Sequence, residues 1–459
     1  SASIVVKNTK NGVTADMDGK FSIKIPENGA ILVCSYIGMQ TQEIAVIKQK
    51  NIDIIMQESK NILDEVVVVG YGQKVKKSDL TGSVASIKKE AFEQAQRISV
   101  LEGMQGRLSG VQITSESGEP GSGMNIVVRG GNSINSDNQP LYVIDGIQIE
   151  AKNSEVASGQ FASSSTLSPL SSLNPNDIES IEILKDASST AIYGSRGANG
   201  VVVITTKQGK AGVSNVSFSH TLAISNASKK LDVLNGKEYA EMRFLTAPQT
   251  ALYGIDTNGD SILDQPRVYP ESETVNWQDE ALRQGIAQNY NFAMSGGSDK
   301  STYSSSLSYF KNDAIIKGTS YDRYNASLNV NQKVKSFLTT GGTVNFSQTS
   351  NNGAALTGGN GDFNGLLQSI LLFNPILIAP ENQDQEFQVL TQPDNMLTDA
   401  YKNVKFNRML VSGFAEIKFN DNLNFRATIG GNTTGSKSKE FYGKETSWGR
   451  VENGKGLIK

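Results

Sequence analysis

Residues 321–333 read "YDRYNASLNVNQK", and their polarity repeats every second position. An extended chain places Tyr324, Ala326, Leu328 and Val330 on one face and Arg323, Asn325, Ser327 and Asn329 on the other. Two folds write that pattern. A soluble antiparallel sandwich turns the apolar face inward, whereas a membrane β-barrel turns it outward into lipid. Periodicity alone leaves both open. The alternation recurs beyond residue 213 in "QNYNFAMSG", "STYSSSLSYF", "TGGTVNFSQ", "MLVSGFAEIKF" and "NLNFRATIGG". Tyr290, Tyr303, Tyr309, Tyr321 and Tyr324 gather near predicted strand ends, which suits an aromatic girdle at a membrane interface.

Composition narrows the classes. A chain of 459 residues is long enough for several domains. Its 43 Lys and Arg against 46 Asp and Glu give no basic surplus, so nucleic acid is not an expected partner. The longest apolar stretch, "LLQSILLFNPILIAP" at 366–380, is broken by Gln368, Ser369, Asn374 and Pro375. It predicts no transmembrane helix, which leaves a β-barrel open because barrel strands never make long apolar runs. Cys34 and His220 are the only residues of their types. Cys34 in "AILVCSY" reads as a small buried hydrophobe, and no disulfide can form within the chain. One histidine cannot furnish the usual relays or paired-histidine metal sites, so no enzyme is expected. The opening "SASIVVKN" lacks the marks of a signal peptide, and a mature, trimmed or partial chain is expected.

Four zones follow. Residues 1–58 carry short alternating segments, "GKFSIKI", "AILVCSY", "TQEIAVI" and "IDIIM", separated by turn chemistry, and predict a small β-sandwich. Residues 59–80 are charged and linker-like, yet hold four consecutive valines in "DEVVVVGYG" at 64–72. Residues 81–212 mix elements. A helix is expected through Ile98, Leu101, Met104 and Leu108, a hairpin at Asp145-Gly146, and strand, short helix and strand from "IESIEILKD" to "VVVITTKQG". Residues 213–459 hold the longer strands.

Several stretches raise chemistry. In "DTNGDSILD" at 256–264, Asp256, Asn258, Asp260 and Asp264, with the Ile262 carbonyl, occupy oxygen-ligand positions of a calcium loop. The glycine is misplaced and Arg267 stands where a bidentate glutamate belongs, and the same residue types also build plain turns. "GRVENGKG" at 449–456 imitates a phosphate loop but ends in Gly456 where Ser or Thr would hold Mg²⁺. "GGNGDFNG" at 358–365 fails the dinucleotide spacing.

Five stretches in order, "LDEVVVVGYGQ", "IVVRGGNSI", "PLYVIDGI", "IESIEILKDASSTAIYGSRGANGVVVITTKQG" and "NYNFAMSGGSDKSTYSSSLSYF", resemble the SusC/RagA group of TonB-dependent outer-membrane transporters. The resemblance implies a mainly β chain: a carboxypeptidase-regulatory-like β-sandwich, a TonB box, an α+β plug and a transmembrane antiparallel barrel of about 22 strands. Only seven or eight strands are recognisable after residue 213, so an N-terminal portion is expected, because an open barrel edge in lipid leaves backbone groups unpaired. The valine run gains a role in this reading. Asp64, Glu65, Val66, Val67, Val68, Val69 and Gly70 form the TonB box, an extended strand that adds to an edge of the TonB C-terminal domain, driven by ExbB/ExbD. The loop "VVRGGNSINSDNQP" at 127–140 is a ligand-binding candidate through Arg129, Asn132, Ser133 and Asn135, with a plain surface loop as the alternative. Arg129, Arg196, Glu179 and Glu182 could pair with wall charges, or stand as solvated charges. The resemblance further implies a SusD-like surface lipoprotein, an oligosaccharide or oligopeptide ligand, outer-membrane lipid around the barrel, and a dimer of SusC–SusD pairs. A signalling receptor and a soluble glycan-binding β-protein remain the alternatives.

Overall fold

The computed structural model describes the chain except residues 1, 8, 10, 17–18, 26–28, 37–38, 40, 47–50, 57–65, 70–72, 77–83, 89–102, 116–117, 123, 132–137, 150–153, 156–165, 168–169, 248–250, 354–364, 378–390, 421–422, 452–456 and 459. It divides into two units, Ser1–Val67 with Val75–Leu80, and Val68–Lys74 with Thr81–Lys459.

The first unit is built on an antiparallel sheet of β1 (Ser3–Val6), β2 (Gly12–Thr14), β3 (Ala30–Ser35) and β4 (Gln42–Val46), in the order β2-β1-β3-β4. Ile4, Val6, Leu32, Cys34 and Val46 fill its core. Burial raises the Cys34 thiol above its ordinary pKa, as fits a buried small hydrophobe. Phe21, Ile23, Ile25, Ile52 and Ile54 pack against this core from segments that join no ladder. Alternation dictates which way side chains face, and pairing needs a free strand edge as well. The valine run forms β5 (Val66–Val69), hydrogen-bonded to β6 (Gln73–Lys76) in a two-stranded sheet.

The second unit begins with β7 (Val84–Lys88), β8 (Val111–Ser115), β9 (Met124–Val128), β10 (Leu141–Ile144) and β11 (Ile147–Ile149). A minimal pair, β12 (Ser154–Glu155) and β13 (Thr166–Leu167), precedes β14 (Ile178–Leu184) and β15 (Val201–Thr206). Five of these make one sheet, β11-β10-β15-β14-β7, in which only β10 and β15 run parallel. β8 and β9 pair separately. The expected hairpin is present, with Asp145 at φ 48° and Gly146 at φ 86°, the left-handed pair that a two-residue turn requires. The short helix Ala187–Thr190 lies between β14 and β15. Of the helix expected around Met104, Ile98 and Leu101 fall outside the described residues, Met104 is fully buried, and the chain turns before Leu108. Both faces of the sheet are covered, one by Ile126, Tyr142, Ile181 and Ile204, the other by Val143, Leu184, Tyr193 and Val203.

Long strands follow: β16 (Ser214–Ser225), the short β17 (Gly254–Ile255) and β18 (Gln265–Pro266), then β19 (Gly285–Gly297), β20 (Ser301–Asp313), β21 (Ser320–Lys335), β22 (Leu338–Gly353), β23 (Ala400–Lys418), β24 (Asn424–Tyr442) and β25 (Leu457–Ile458). Apart from β17 and β18 they form one antiparallel sheet in the order β16-β19-β20-β21-β22-β23-β24-β25. Here the polarity of residues 321–333 becomes decisive. Tyr324 and Leu328 are 49% and 47% exposed, while Arg323 and Asn329 are 1% and 4% exposed. A soluble sandwich requires the reverse, and apolar-out, polar-in is the barrel arrangement. The wall is a partial barrel.

His220, Tyr290, Tyr309 and Tyr324 share one register row on the outer face, their rings stacked at centroid distances of 4.4, 6.3 and 4.7 Å. Of the five tyrosines expected to form a girdle, Tyr290, Tyr309 and Tyr324 make this cross-strand ladder, Tyr303 is exposed in another register row, and Tyr321 is buried on the inward face, because its position in the strand has the opposite parity to Tyr324. The apolar stretch also drifts from strand to strand. Phe218 and Leu222 flank His220 on β16, whereas on β24 the outward side chain in that row is missing at Gly435 and the apolar residues begin at Ile429. Strands tilted against a flat lipid layer must show such a drift, because each register row climbs across the wall.

Tight turns join the strands at one end, as at Lys335–Leu338, and longer connections rise at the other. The latter carry the helices Gly236–Thr246, Trp277–Ala281, Leu366–Leu372 and Pro393–Thr398, with Trp277, Phe373 and Met396 in a core of their own. Where plug meets wall, Gly121 sits at φ 80° and a Cβ there would overlap the Tyr321 ring. Gly121→Ala should therefore destabilise the protein by roughly 2 kcal/mol, read as a lower melting temperature in detergent.

Candidate functional site: the plug–wall interface

The seat of the plug is the turn before β14. Asn174 caps the 3₁₀ turn Pro175–Asp177 by accepting from the Asn176 N–H at 3.1 Å, and its own Nδ2 donates to Asn291 Oδ1 of the wall at 2.9 Å. This presents the preceding serines to the inward face of β21 and β23. The Tyr321 hydroxyl donates to the Ser171 carbonyl at 3.2 Å, and Arg323 Nη1 donates to the same oxygen at 3.1 Å. Asn325 Nδ2 donates to the Ser172 carbonyl at 2.6 Å, and Arg408 Nη1 to Ser172 Oγ at 3.1 Å. Both guanidiniums also lie over phenyl rings, Arg323 over Phe310 at 5.4 Å and Arg408 over Phe406 at 5.6 Å.

Apolar contacts reinforce the same side. Leu410 of β23 belongs to the plug's own hydrophobic core, and Ile147 occupies the space that a side chain at Gly430 would need. Nearer the long connections, Asn351 Nδ2 donates to Glu119 Oε1 at 2.7 Å, beside a buried ion pair of Lys402 and Glu440 at 3.4 Å. Burial raises the Glu119 pKa, with the Asn351 hydrogen bond and the Lys402 charge opposing it. Within the plug, Asp145 accepts from the Thr206 N–H at 2.9 Å and the Thr206 hydroxyl at 2.7 Å. Burial pushes its pKa up, and these two bonds pull against the rise.

The plug also meets β19 and β20. Besides the Asn174–Asn291 bond, Ser304 Oγ donates to the Lys207 carbonyl at 2.7 Å. Between plug and wall lies a cavity of about 670 Å³, lined on the wall by Ser217, Ser219, Asn289 and Ser306 and on the plug by Glu179 and Lys207.

The residues singled out from sequence disperse. Arg129 pairs with Asp186, and Arg196 donates to Gln148 at 3.4 Å, both partners within the plug. Of the two readings open for these charges, wall pairing is not seen for either arginine among the described residues, because each guanidinium finds an acceptor on a neighbouring plug strand or loop. Glu182 is buried on β14, and Glu179 faces the cavity. Val66–Val69 is a strand, whereas Asp64, Glu65, Gly70, Asn132, Ser133 and Asn135 lie outside the described residues. The wall arginines were missed, although an arginine in the inward row of a strand otherwise carrying Asn and Ser is a visible signal in "DRYNASLN".

In the 256–264 loop the oxygens turn onto the loop's own amides. Asp256 accepts from the Asn258, Gly259 and Ser261 N–H groups, Asn258 Oδ1 from Asp260 N–H, and Asp260 from Ile262 N–H. Asp264 accepts from Thr257 through both its N–H and its hydroxyl. The backbone bonds hold Asp256 below its ordinary carboxylate range. Among the described residues no three His, Cys, Asp or Glu side chains gather to hold a metal.

Comparison with known proteins agrees with this architecture. Residues 1–68 match the CarboxypepD_reg-like domain family, and residues 76–201 match the TonB-dependent receptor plug domain family. The chain is 32% identical to TonB-dependent receptor P3 of Formosa agariphila over 96% of its own length and 41% of that protein. It is 39% identical to TonB-dependent receptor SusC of Bacteroides thetaiotaomicron over 72% of its length and 30% of that protein. Among solved structures, the RagAB peptide importer in the "open-open" state superposes with a TM-score of 0.66 at 24% identity, covering 83% of this chain and 43% of the other. Domain order, plug and polar-in wall define a TonB-dependent receptor. Within that class the chain is of the SusC/RagA type, and it spans about two fifths of the length of its first curated relatives.

Proposed function

We propose that the full-length protein is a SusC-like importer of the Gram-negative outer membrane, passing oligosaccharides or oligopeptides into the periplasm beneath a SusD-like lipoprotein lid. It is a transporter and not an enzyme. The observation that carries this reading is a plug held inside a lipid-facing wall by hydrogen bonds to polar side chains, a stopper that can be unseated without breaking covalent bonds. The tight-turn end faces the periplasm and the longer connections face outward, as barrel convention has it. Asp64–Gly70 is the segment that the TonB C-terminal domain grips by β-addition. β5 and β6 pair only with each other among the described residues, so the sheet has an outer edge on which a further strand can form.

Uptake decides the matter. Cells with and without the gene receive fluorescent oligosaccharides and, separately, fluorescent oligopeptides, with or without a protonophore. One class should accumulate, only with the gene and only without the protonophore. Accumulation that ignores the protonophore would remove TonB coupling, and equal accumulation without the gene would remove transport.

A further inference from the structure

Toward the long connections, the outer face of β23 and β24 carries three lysines. The row of the tyrosine ladder continues from Tyr324 through Gln348 and Asn407 to Gly435. Lys405 and Lys437 stand two positions beyond that row and Lys439 two beyond Lys437, so all three face outward, and all three are exposed. Lys405 lies directly opposite Lys437, with Ser350 on its other side, and Lys439 lies opposite Asn403. Like charges facing each other across strands repel. Among the described residues no carboxylate pairs with any of the three. The outward carboxylates in the same rows, Asp322 on β21 and Asp313 on β20, are engaged by the Tyr309 hydroxyl at 3.2 Å and by Lys311 at 3.1 Å.

The same face changes chemistry on either side of these cations. Met409 and Val411, exposed on β23, end the lipid-facing apolar stretch just before Lys405. Past Lys405 and Lys439, Tyr401 lies opposite Phe441, both exposed. The order along the wall is thus apolar, cationic, aromatic. From it we infer that this patch binds a phosphorylated glycolipid of the outer leaflet, with acyl chains along Met409 and Val411, a phosphate among Lys405, Lys437 and Lys439, and a sugar ring against Tyr401 and Phe441. Ammonium groups on flexible stems can converge on one phosphate, which also removes their mutual repulsion. Aromatic rings that keep an apolar body beside a wet edge suit the apolar face of a sugar. A simple phospholipid offers the phosphate but no ring for the aromatic pair. The inference needs the wall to stand in the outer membrane with its long connections outward, and it does not need import.

The test uses the full-length protein in an uncharged detergent, titrated by native mass spectrometry with three probes: phosphorylated lipid A, the same lipid A after phosphatase treatment, and phosphatidylglycerol. The unaltered protein should bind phosphorylated lipid A most tightly. Combining Lys405→Gln, Lys437→Gln and Lys439→Gln should weaken that binding about hundredfold, from about fivefold for each lysine at an anionic lipid. Arginine at the same three positions keeps the charge and should keep the binding. Tyr401→Ala should weaken lipid A binding and leave that of phosphatidylglycerol unchanged. Heat-modifiable mobility checks that each variant is a folded barrel. Unchanged lipid A affinity in the triple glutamine variant, as when a carboxylate on a later strand already pairs with the lysines, would overturn the site. Equal binding of the dephosphorylated lipid would overturn the role of the phosphate, and phosphatidylglycerol bound as tightly as lipid A would overturn the glycolipid. Lipid A binding by a protein that fails in uptake would support this inference and overturn only the importer reading.

Discussion

Val67→Pro is expected to abolish energised uptake by the full-length protein, a loss of more than about tenfold, while ligand binding at the outer surface stays unchanged. Proline removes one backbone donor and locks φ, so a partner strand laid along Val66–Val69 loses a ladder bond and its flat register. Binding by strand addition depends on the backbone more than on side chains, so Val67→Thr, which keeps the donor and the β-branch, should transport normally. The pairing of β5 with β6 adds a refinement. Successive N–H groups in a strand point to opposite edges. If the partner adds to the outer edge of the sheet, a proline scan through residues 66–69 should alternate, with severe loss at Val67 and Val69 and mild loss at Val66 and Val68. If β6 is displaced instead, all four positions should be severe. Normal uptake by Val67→Pro would remove this segment from the coupling mechanism.

The second large effect is expected at the wall arginines. Arg323→Ala and Arg408→Ala should each weaken plug seating by about 2 kcal/mol, the worth of a hydrogen bond from a charged donor. Each takes the bond to Ser171 or Ser172 and a cation over a phenyl ring. Their targets are adjacent residues, so the double variant should depart from the sum of the singles. Two measurements check this: earlier proteolysis of the plug in detergent, and sensitivity of cells to a glycopeptide antibiotic that an occupied barrel excludes. Arg323→Lys should recover only part of the loss, since an ammonium lacks the flat guanidinium that lies on Phe310. Unaltered proteolysis and antibiotic exclusion in both single variants would mean that the plug is held elsewhere.

Sequence and structure part company at instructive places. The alternation at 321–333 is local, and so was readable, as was the Asp145-Gly146 turn, whose left-handed residues declare themselves by type. Which face meets lipid was not readable from alternation, because a period of two is unchanged when the faces are exchanged. The resemblance to a known family supplied that choice. Alternation around Phe21 and Ile52 told which side chains face the core, yet overstated the ladder. The plug seat was hidden for another reason. Arg323 and Ser171 are 152 positions apart, and no local pattern joins a serine-rich turn to an arginine on a distant strand. Arg129 and Arg196 attracted attention because they stand in glycine-rich motifs, yet their bonds stay inside the plug.

Leu410 carries a consequence for biogenesis. The plug emerges from the ribosome before the wall, yet one side chain of its hydrophobic core arrives on β23, some two hundred residues after β15 ends. The plug therefore cannot reach its final packing ahead of the wall. Its last core contact is made only when β23 pairs with β22 beside it, so completion of the stopper's core and assembly of its enclosure are coupled.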